Sequence, residues 1–269
     1  MRAMEPISMK SRQGWSAAIG WLLLYGAGFL VALSLKLFYS RAGADELSWI
    51  LAPTSLLAEI LTGDHFQREP RAGWISHSGR MILGPSCAGV NFLIIAFSAF
   101  FFSFVGRLKS PAGRGLWLLT SLGGAYVLTL ATNTMRIIAA IRLHEMDIYR
   151  GLLTPQRVHR AEGTVVYCIV LLLAYLFAER ALARFGALPP GRPAFSPWVP
   201  LGWYVGMALG VPLLVRAYRG GDGPFVEHAA LVLLVCLSLA LVLCAPRIAS
   251  QGCASAEQGE PGSEFPRLR

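Results

Sequence analysis

Charge is what this chain has least of. Only 14% of its 269 residues are Asp, Glu, Lys or Arg, against about a quarter in an ordinary soluble domain. That scarcity excludes a soluble globular chain. It also excludes a nucleic-acid partner, because the net charge of +9 has no soluble basic domain to carry it. Cysteine is sparse too. Cys87, Cys168, Cys236, Cys244 and Cys253 form no CxxC pair and no zinc spacing, which argues against a disulfide framework and a metal site. Cys168, Cys236 and Cys244 lie in apolar runs, where a thiol behaves as a small hydrophobe. There is no internal repeat. The first apolar run is too long for a secretory signal and lacks a small-residue cleavage site.

What the chain has is long apolar runs: 55% of it is hydrophobic and its mean hydropathy is +0.53. These runs predict an all-α fold, a polytopic transmembrane helical bundle of about six spans plus one short interfacial or re-entrant helix. The spans are Trp15–Leu35, Ile82–Val105, Leu116–Ile141, Thr164–Ala178 with a turn borrowed from the loop before it, Trp198–Val215 and Phe225–Ala245. Trp49–Leu61 is short, holds Pro53 and Glu59, and is the interfacial segment. Asp64–Arg80 is polar and lies outside the membrane. Residues 1–14 form a cytoplasmic lead, 15–186 the membrane core, 187–197 a Pro- and Arg-rich linker, 198–245 two further spans and 246–269 a disordered tail.

Orientation follows from the cations. Arg107, Lys109 and Arg114 crowd one short loop, and Arg2, Lys10 and Arg12 precede the first span, so both sit on the cytoplasmic side. The loop from Arg142 to Gly163 then faces outward although it carries Arg142, Arg150, Arg157 and Arg160. Those arginines ask for a function.

Three chemistry-bearing residues reach that outer side. Cys87, in Gly84-Pro85-Ser86-Cys87-Ala88-Gly89, stands where a loop turns into a helix, and the field of unpaired N–H groups there favours a thiolate. Arg136 is the one charge inside the third span. Both lie five residues inside their spans, roughly 7 to 8 Å below the surface at about 1.5 Å per residue. His159 precedes the fourth span on the same side, with Glu162 placed to orient it and His144 as a rival base. Keeping an arginine at mid-membrane costs up to about 2.5–3.5 kcal/mol, which calls for a role. A nucleophilic thiol, a titratable base and a fixed cation suit acyl transfer. Each has a plainer reading: a packing cysteine, a snorkelling arginine and an ordinary loop histidine. Asn133 reads as a helix cap or an inter-helix hydrogen-bonding group. His65, His77 and His228 read as surface or interfacial.

Ser86-Cys87-Ala88-Gly89, Asn133-Thr134-Met135-Arg136-Ile137 and His159 before the next span resemble, in that order, the exosortase/archaeosortase family. Cys87-Ala88-Gly89-Val90-Asn91-Phe92 is most similar to the exosortase K type. The resemblance covers Trp49 to Ala178. It implies a cofactor-independent membrane cysteine transpeptidase in the bacterial inner membrane, with its site on the extracytoplasmic face. Cys87 would be the nucleophile, Arg136 the cation and His159 the base. Asn133 and Asn91 carry over as parts of the motifs and candidate substrate contacts. The implied partners are exported proteins whose C-terminal signal is a short motif, often Pro-Glu-Pro-like, followed by a transmembrane helix and a basic cluster. An acidic motif would also give Arg157 and Arg160 something to attract. Hydrolysis in place of transfer, a non-catalytic scaffold of an envelope or polysaccharide assembly system, and a small transporter are the alternatives.

Overall fold

A computed structural model describes residues 7–77, 81–146, 154–188, 196–213 and 225–257. Arg150, most of the 187–197 linker and the tail beyond Glu257 lie outside the described residues. The chain forms the expected all-α polytopic bundle. Its helices are α1 (Ile7–Tyr39), α2 (Ser48–Thr62), α3 (Val90–Phe104), α4 (Pro111–Glu145), α5 (Pro155–Arg184), α6 (Trp198–Val205) and α7 (Phe225–Glu257). A π-helical turn, Gly206–Gly210, carries α6 on to Leu213. Five helices are long and apolar enough to cross a bilayer: α1, α3 with its flanking turns, α4, α5 and α7. The fifth expected span, Trp198–Val215, is shorter than the rest in its described part. Residues 246–257, expected to be disordered, continue α7.

α3 is the axis of the bundle. Phe92, Phe97, Phe101 and Phe104 are all but fully buried, and α1, α4, α5 and α6 pack around them. Lipid meets the outer faces of the other helices, where Leu22, Leu23, Leu119, Leu173 and Phe177 are exposed.

Two ends can be told apart by charge. At the basic end Arg107 bonds Glu179 at 2.9 Å, Lys109 Nζ donates to the Gly186 carbonyl at 2.9 Å, and the Arg114 guanidinium lies 4.4 Å from the centre of the Trp21 ring. Ser110 and Pro111 start α4 there: the serine hydroxyl accepts from the Gly113 N–H, and proline at the first helical position loses no bond. Thr154 and Pro155 repeat the device at the opposite end, where Thr154 accepts from the Arg157 N–H. α5 therefore begins more than two turns before Thr164, and His159 is helical.

The opposite end carries structure that the polar composition of residues 64–80 does not announce. β1 (Phe66–Glu69), β2 (Gly73–Ser76) and β3 (Ile82–Leu83) form an antiparallel sheet in the order β1-β2-β3. The register pairs Phe66 with Ser76 and Trp74 with Leu83. Trp74 and Leu83 are buried in the main core, while β1 is largely exposed. α2 packs on this sheet. Pro53 inside α2 has no N–H for the Trp49 carbonyl four residues back, and the Tyr126 hydroxyl of α4 donates to that carbonyl at 2.8 Å. Proline thus opens an acceptor by which α4 holds the interfacial helix.

β3 also corrects one expected boundary. Ile82 pairs in the sheet, Pro85–Cys87 form a single 3-10 turn, and α3 starts only at Val90. Cys87 therefore sits on the turn ahead of the helix, not five residues inside a span. Gly89 separates the two elements with a φ of +70°, a conformation that a Cβ disfavours. Arg136 lies further from its helix end than the sequence implied, because α4 runs on to Glu145.

Candidate active site

Cys87 comes from the turn before α3, Asn133 and Arg136 from α4, and His159, Glu162, Gly163 and Tyr167 from α5. Each helix contributes a stripe. Thr129, Asn133 and Arg136 recur at four and three residues along α4, and His159, Gly163 and Tyr167 at four along α5, so each set shares one helix face. The two stripes face each other across the end opposite the basic loops.

Asn133 is the joint between the turn and the bundle. Its side chain is buried, its Nδ2 donates to the Cys87 carbonyl, and its Oδ1 accepts from Arg136 Nη1 at 3.4 Å and from the Tyr167 hydroxyl at 3.3 Å. Arg136 Nη1 also donates to the Tyr167 oxygen at 2.5 Å. Its Nη2 lies 3.3 Å from His159 Nε2. A continuous path of polar contacts thus runs from the Cys87 backbone carbonyl through Asn133 and Arg136 to His159. The Tyr167 ring completes the packing: it stacks on Phe92 with centroids 4.3 Å apart and lies 4.5 Å from the guanidinium carbon of Arg136, at cation–π range.

Arg136 is 8% exposed and has no carboxylate within ion-pair distance among the described residues. Its bonded neighbours are an amide oxygen, a phenol and an imidazole, and its Nε is buried with no partner. Its hydrogen-bond partners are thus all neutral, and the nearby Glu162 carboxyl interacts with its charge without bonding it, so the guanidinium keeps donor capacity for an anion. The guanidinium reaches this place because residue 163 has no side chain: a Cβ on Gly163 would lie 2.6 to 2.9 Å from Arg136 Nη2, Nε and Cζ.

The Cys87 thiol is half-buried, 3.9 Å from the Ile82 carbonyl and from the Ser86 hydroxyl. The Tyr39 hydroxyl donates to the Pro85 carbonyl at 3.2 Å and fixes the turn from α1. Three expected substrate contacts lie apart from the polar path. Arg157 bonds Glu227 of α7 at 2.9 Å on the surface, and Arg160 is exposed on the same side of α5 as His228. Asn91 is exposed and accepts from Lys36 Nζ at 2.9 Å. His65, expected at the surface, is exposed and bonds Glu59 at 2.7 Å.

Sequence reasoning missed Tyr167, Gly163, Tyr39 and Lys36. Tyr167 and Gly163 had a signal: with His159 they repeat every four residues. Among the described residues no group of three metal-ligating side chains comes together. Comparison of the chain with family models, with curated proteins and with solved structures returns no match.

Proposed function

We propose that this chain is a membrane-embedded cysteine transpeptidase of the exosortase type. One observation supports the reading: Asn133 ties the Cys87 turn, through its backbone carbonyl, to the Arg136 guanidinium that contacts His159, so the ordered Cys, Arg and His of the sequence resemblance gather at one place. The Cys87 sulfur, its proton passed to His159, attacks a substrate peptide carbonyl. The tetrahedral oxyanion is balanced by the charge of Arg136. Its collapse forms a thioester and breaks the C–N bond, and the leaving amine takes the proton back from His159. An acceptor amine then attacks the thioester, releasing Cys87; water as acceptor would make the reaction hydrolysis. No metal or organic cofactor is needed.

The substrate is an exported protein with a C-terminal motif, a transmembrane helix and a basic cluster. Its helix would lie in the bilayer beside the bundle, with the motif at the end bearing Cys87. The basic end, with Arg107, Lys109 and Arg114, is cytoplasmic, so the site faces the outside of a bacterial inner membrane.

The test has two arms. In the first, cells produce the chain with an exported reporter ending in a Pro-Glu-Pro-type motif, an apolar helix and a basic cluster, and size on a gel reports processing. Wild type shortens the reporter, while Cys87→Ala and Cys87→Ser leave it intact and fold normally. Processing by Cys87→Ala refutes the nucleophile. In the second, a variant retaining only Cys87 is treated on intact cells with a membrane-impermeant thiol reagent. Rapid labelling that slows in His159→Ala is expected. Labelling only after the membrane is opened inverts the topology, and none in either state makes Cys87 a packing residue of a scaffold.

A further inference from the structure

The Glu162 carboxyl lies buried beside the polar path, and the chemistry above does not use it. Its side chain is 8% exposed, and neither oxygen has a hydrogen-bond partner. A carboxylate taken out of water without donors is costly unless something repays it. Two basic groups are in reach: the Arg136 guanidinium, whose charge acts on the Glu162 carboxyl, and His159, whose Nδ1 is 3.6 Å from Glu162 Oε2. That separation is a charge contact and slightly too long for a hydrogen bond. The two residues are three apart on α5, so a small side-chain rotation closes the gap.

The other face of the imidazole decides which nitrogen carries the proton. Guanidinium nitrogens have only N–H groups to offer. Arg136 Nη2, 3.3 Å from Nε2, can be bonded there only if Nε2 presents its lone pair. The neutral ring must then hold its proton on Nδ1, the nitrogen turned toward Glu162. Arg136 from α4 and Glu162 from α5 grip opposite sides of one ring. Tyr167 is the remaining titratable group of the cluster, and it is already engaged by Arg136 and Asn133.

We infer that Glu162 is the positioning residue of His159: it accepts the Nδ1 proton, fixes the plane of the ring, and leaves Nε2 as the nitrogen that exchanges a proton with the reacting groups. The inference rests on the transpeptidase reading for its catalytic meaning, though not for its geometry.

The experiment is nitrogen and proton NMR of 15N-histidine-labelled full-length protein in lipid bilayers at mildly alkaline pH, where the Glu162 carboxyl is ionised, with the His159 signals identified by their loss in His159→Gln. A proton on Nδ1, a bare Nε2, and an Nδ1 proton signal that moves upfield in Glu162→Gln are expected, since a charged acceptor becomes a neutral one. The wild-type spectrum alone decides the tautomer, whether or not the variant folds. A proton on Nε2, or a signal indifferent to Glu162→Gln, overturns the inference. In the impermeant-reagent assay, Glu162→Gln should slow Cys87 labelling about tenfold, the scale of one charge-assisted hydrogen bond, and should add nothing in a His159→Ala background. Equal slowing in both backgrounds makes Glu162 a general structural residue and overturns its positioning role. The expected spectra together with labelling indifferent to His159→Ala would uphold the His159–Glu162 pair and refute the transpeptidase reading alone.

Discussion

Replacing Gly163 by alanine tests the site at its tightest contact. In an ordinary helix interior the change stabilises by about 1 kcal/mol, because glycine loses the most backbone entropy on folding. Here the new methyl carbon would sit 2.6 Å from Arg136 Nη2 and 2.8 Å from Nε. Restoring an ordinary contact of 3.4 Å or more requires the guanidinium to withdraw by at least roughly 0.8 Å, the difference between 3.4 and 2.6 Å. The Nη2–His159 contact is already long at 3.3 Å and does not survive such a shift. The tighter bond to Tyr167 is bent or broken. Losing one hydrogen bond from a charged donor costs about 1.5–3 kcal/mol, which outweighs the helical gain and leaves a net loss of about 0.5–2 kcal/mol. Thermal unfolding in detergent should show that small loss, while labelling of Cys87 and reporter processing fall at least about tenfold by the same energy scale. A Gly163→Ala protein that is more stable and fully active would refute the placement of Arg136 against α5.

Three further outcomes are expected. Asn133→Leu strands the Cys87 carbonyl and frees Arg136 and Tyr167 from their shared acceptor; a loss of about 1–3 kcal/mol in denaturant unfolding is expected, with processing abolished. Glu179→Gln at the basic end leaves the partly buried Arg107 without its countercharge and should cost about 1–3 kcal/mol, yet Cys87 labelling should be unchanged, since the pair lies at the other end of the bundle. The hydrogen bond from His65 holds the Glu59 carboxyl below its ordinary value, with the Phe66 N–H as a second donor. A carboxyl depressed in the folded state stabilises above its unfolded value of about 4.3 and loses that contribution as pH falls through the lower folded value. Protection of the Phe66 amide, taken relative to intrinsic exchange at each pH, should therefore fall in that acid range in wild type and show no such step in Glu59→Gln.

The spans were legible because an uninterrupted apolar run is a strong and local signal. The order Cys87, Arg136, His159 was legible because an arginine inside such a run is rare. The sheet was not. Gln67, Arg68 and Glu69 lack the alternation that marks a half-buried strand, because β1 is exposed on nearly every residue, and what holds it is Trp74 and Leu83 beneath. The early start of α5 had a readable mark, Thr154-Pro155, overlooked because the apolar run begins only later. Tyr167 was hidden for a different reason. Inside a hydrophobic stretch a tyrosine looks like any other core aromatic, and its role depends on Asn133 and Arg136 arriving from another helix. The depth argument that brought Cys87 and Arg136 together picked residues that the structure gathers at one end, but by an inexact route, since the span boundaries it used were displaced by β3 and by the extension of α4.

The burial of α3 bears on how the protein is made. α4, α5 and α6, which enclose its phenylalanine stripe together with α1, are synthesised after it. A newly inserted α3 first meets lipid on surfaces that end against protein, and it settles only when the later helices arrive and displace that lipid. Insertion machinery reads hydropathy, and leucine in place of Phe97 or Phe101 would pass that reading unchanged. The assembled bundle reads shape. Such substitutions should therefore yield chains that insert normally, with the right topology, and are then lost to quality-control proteolysis because the last helices find no surface that fits them.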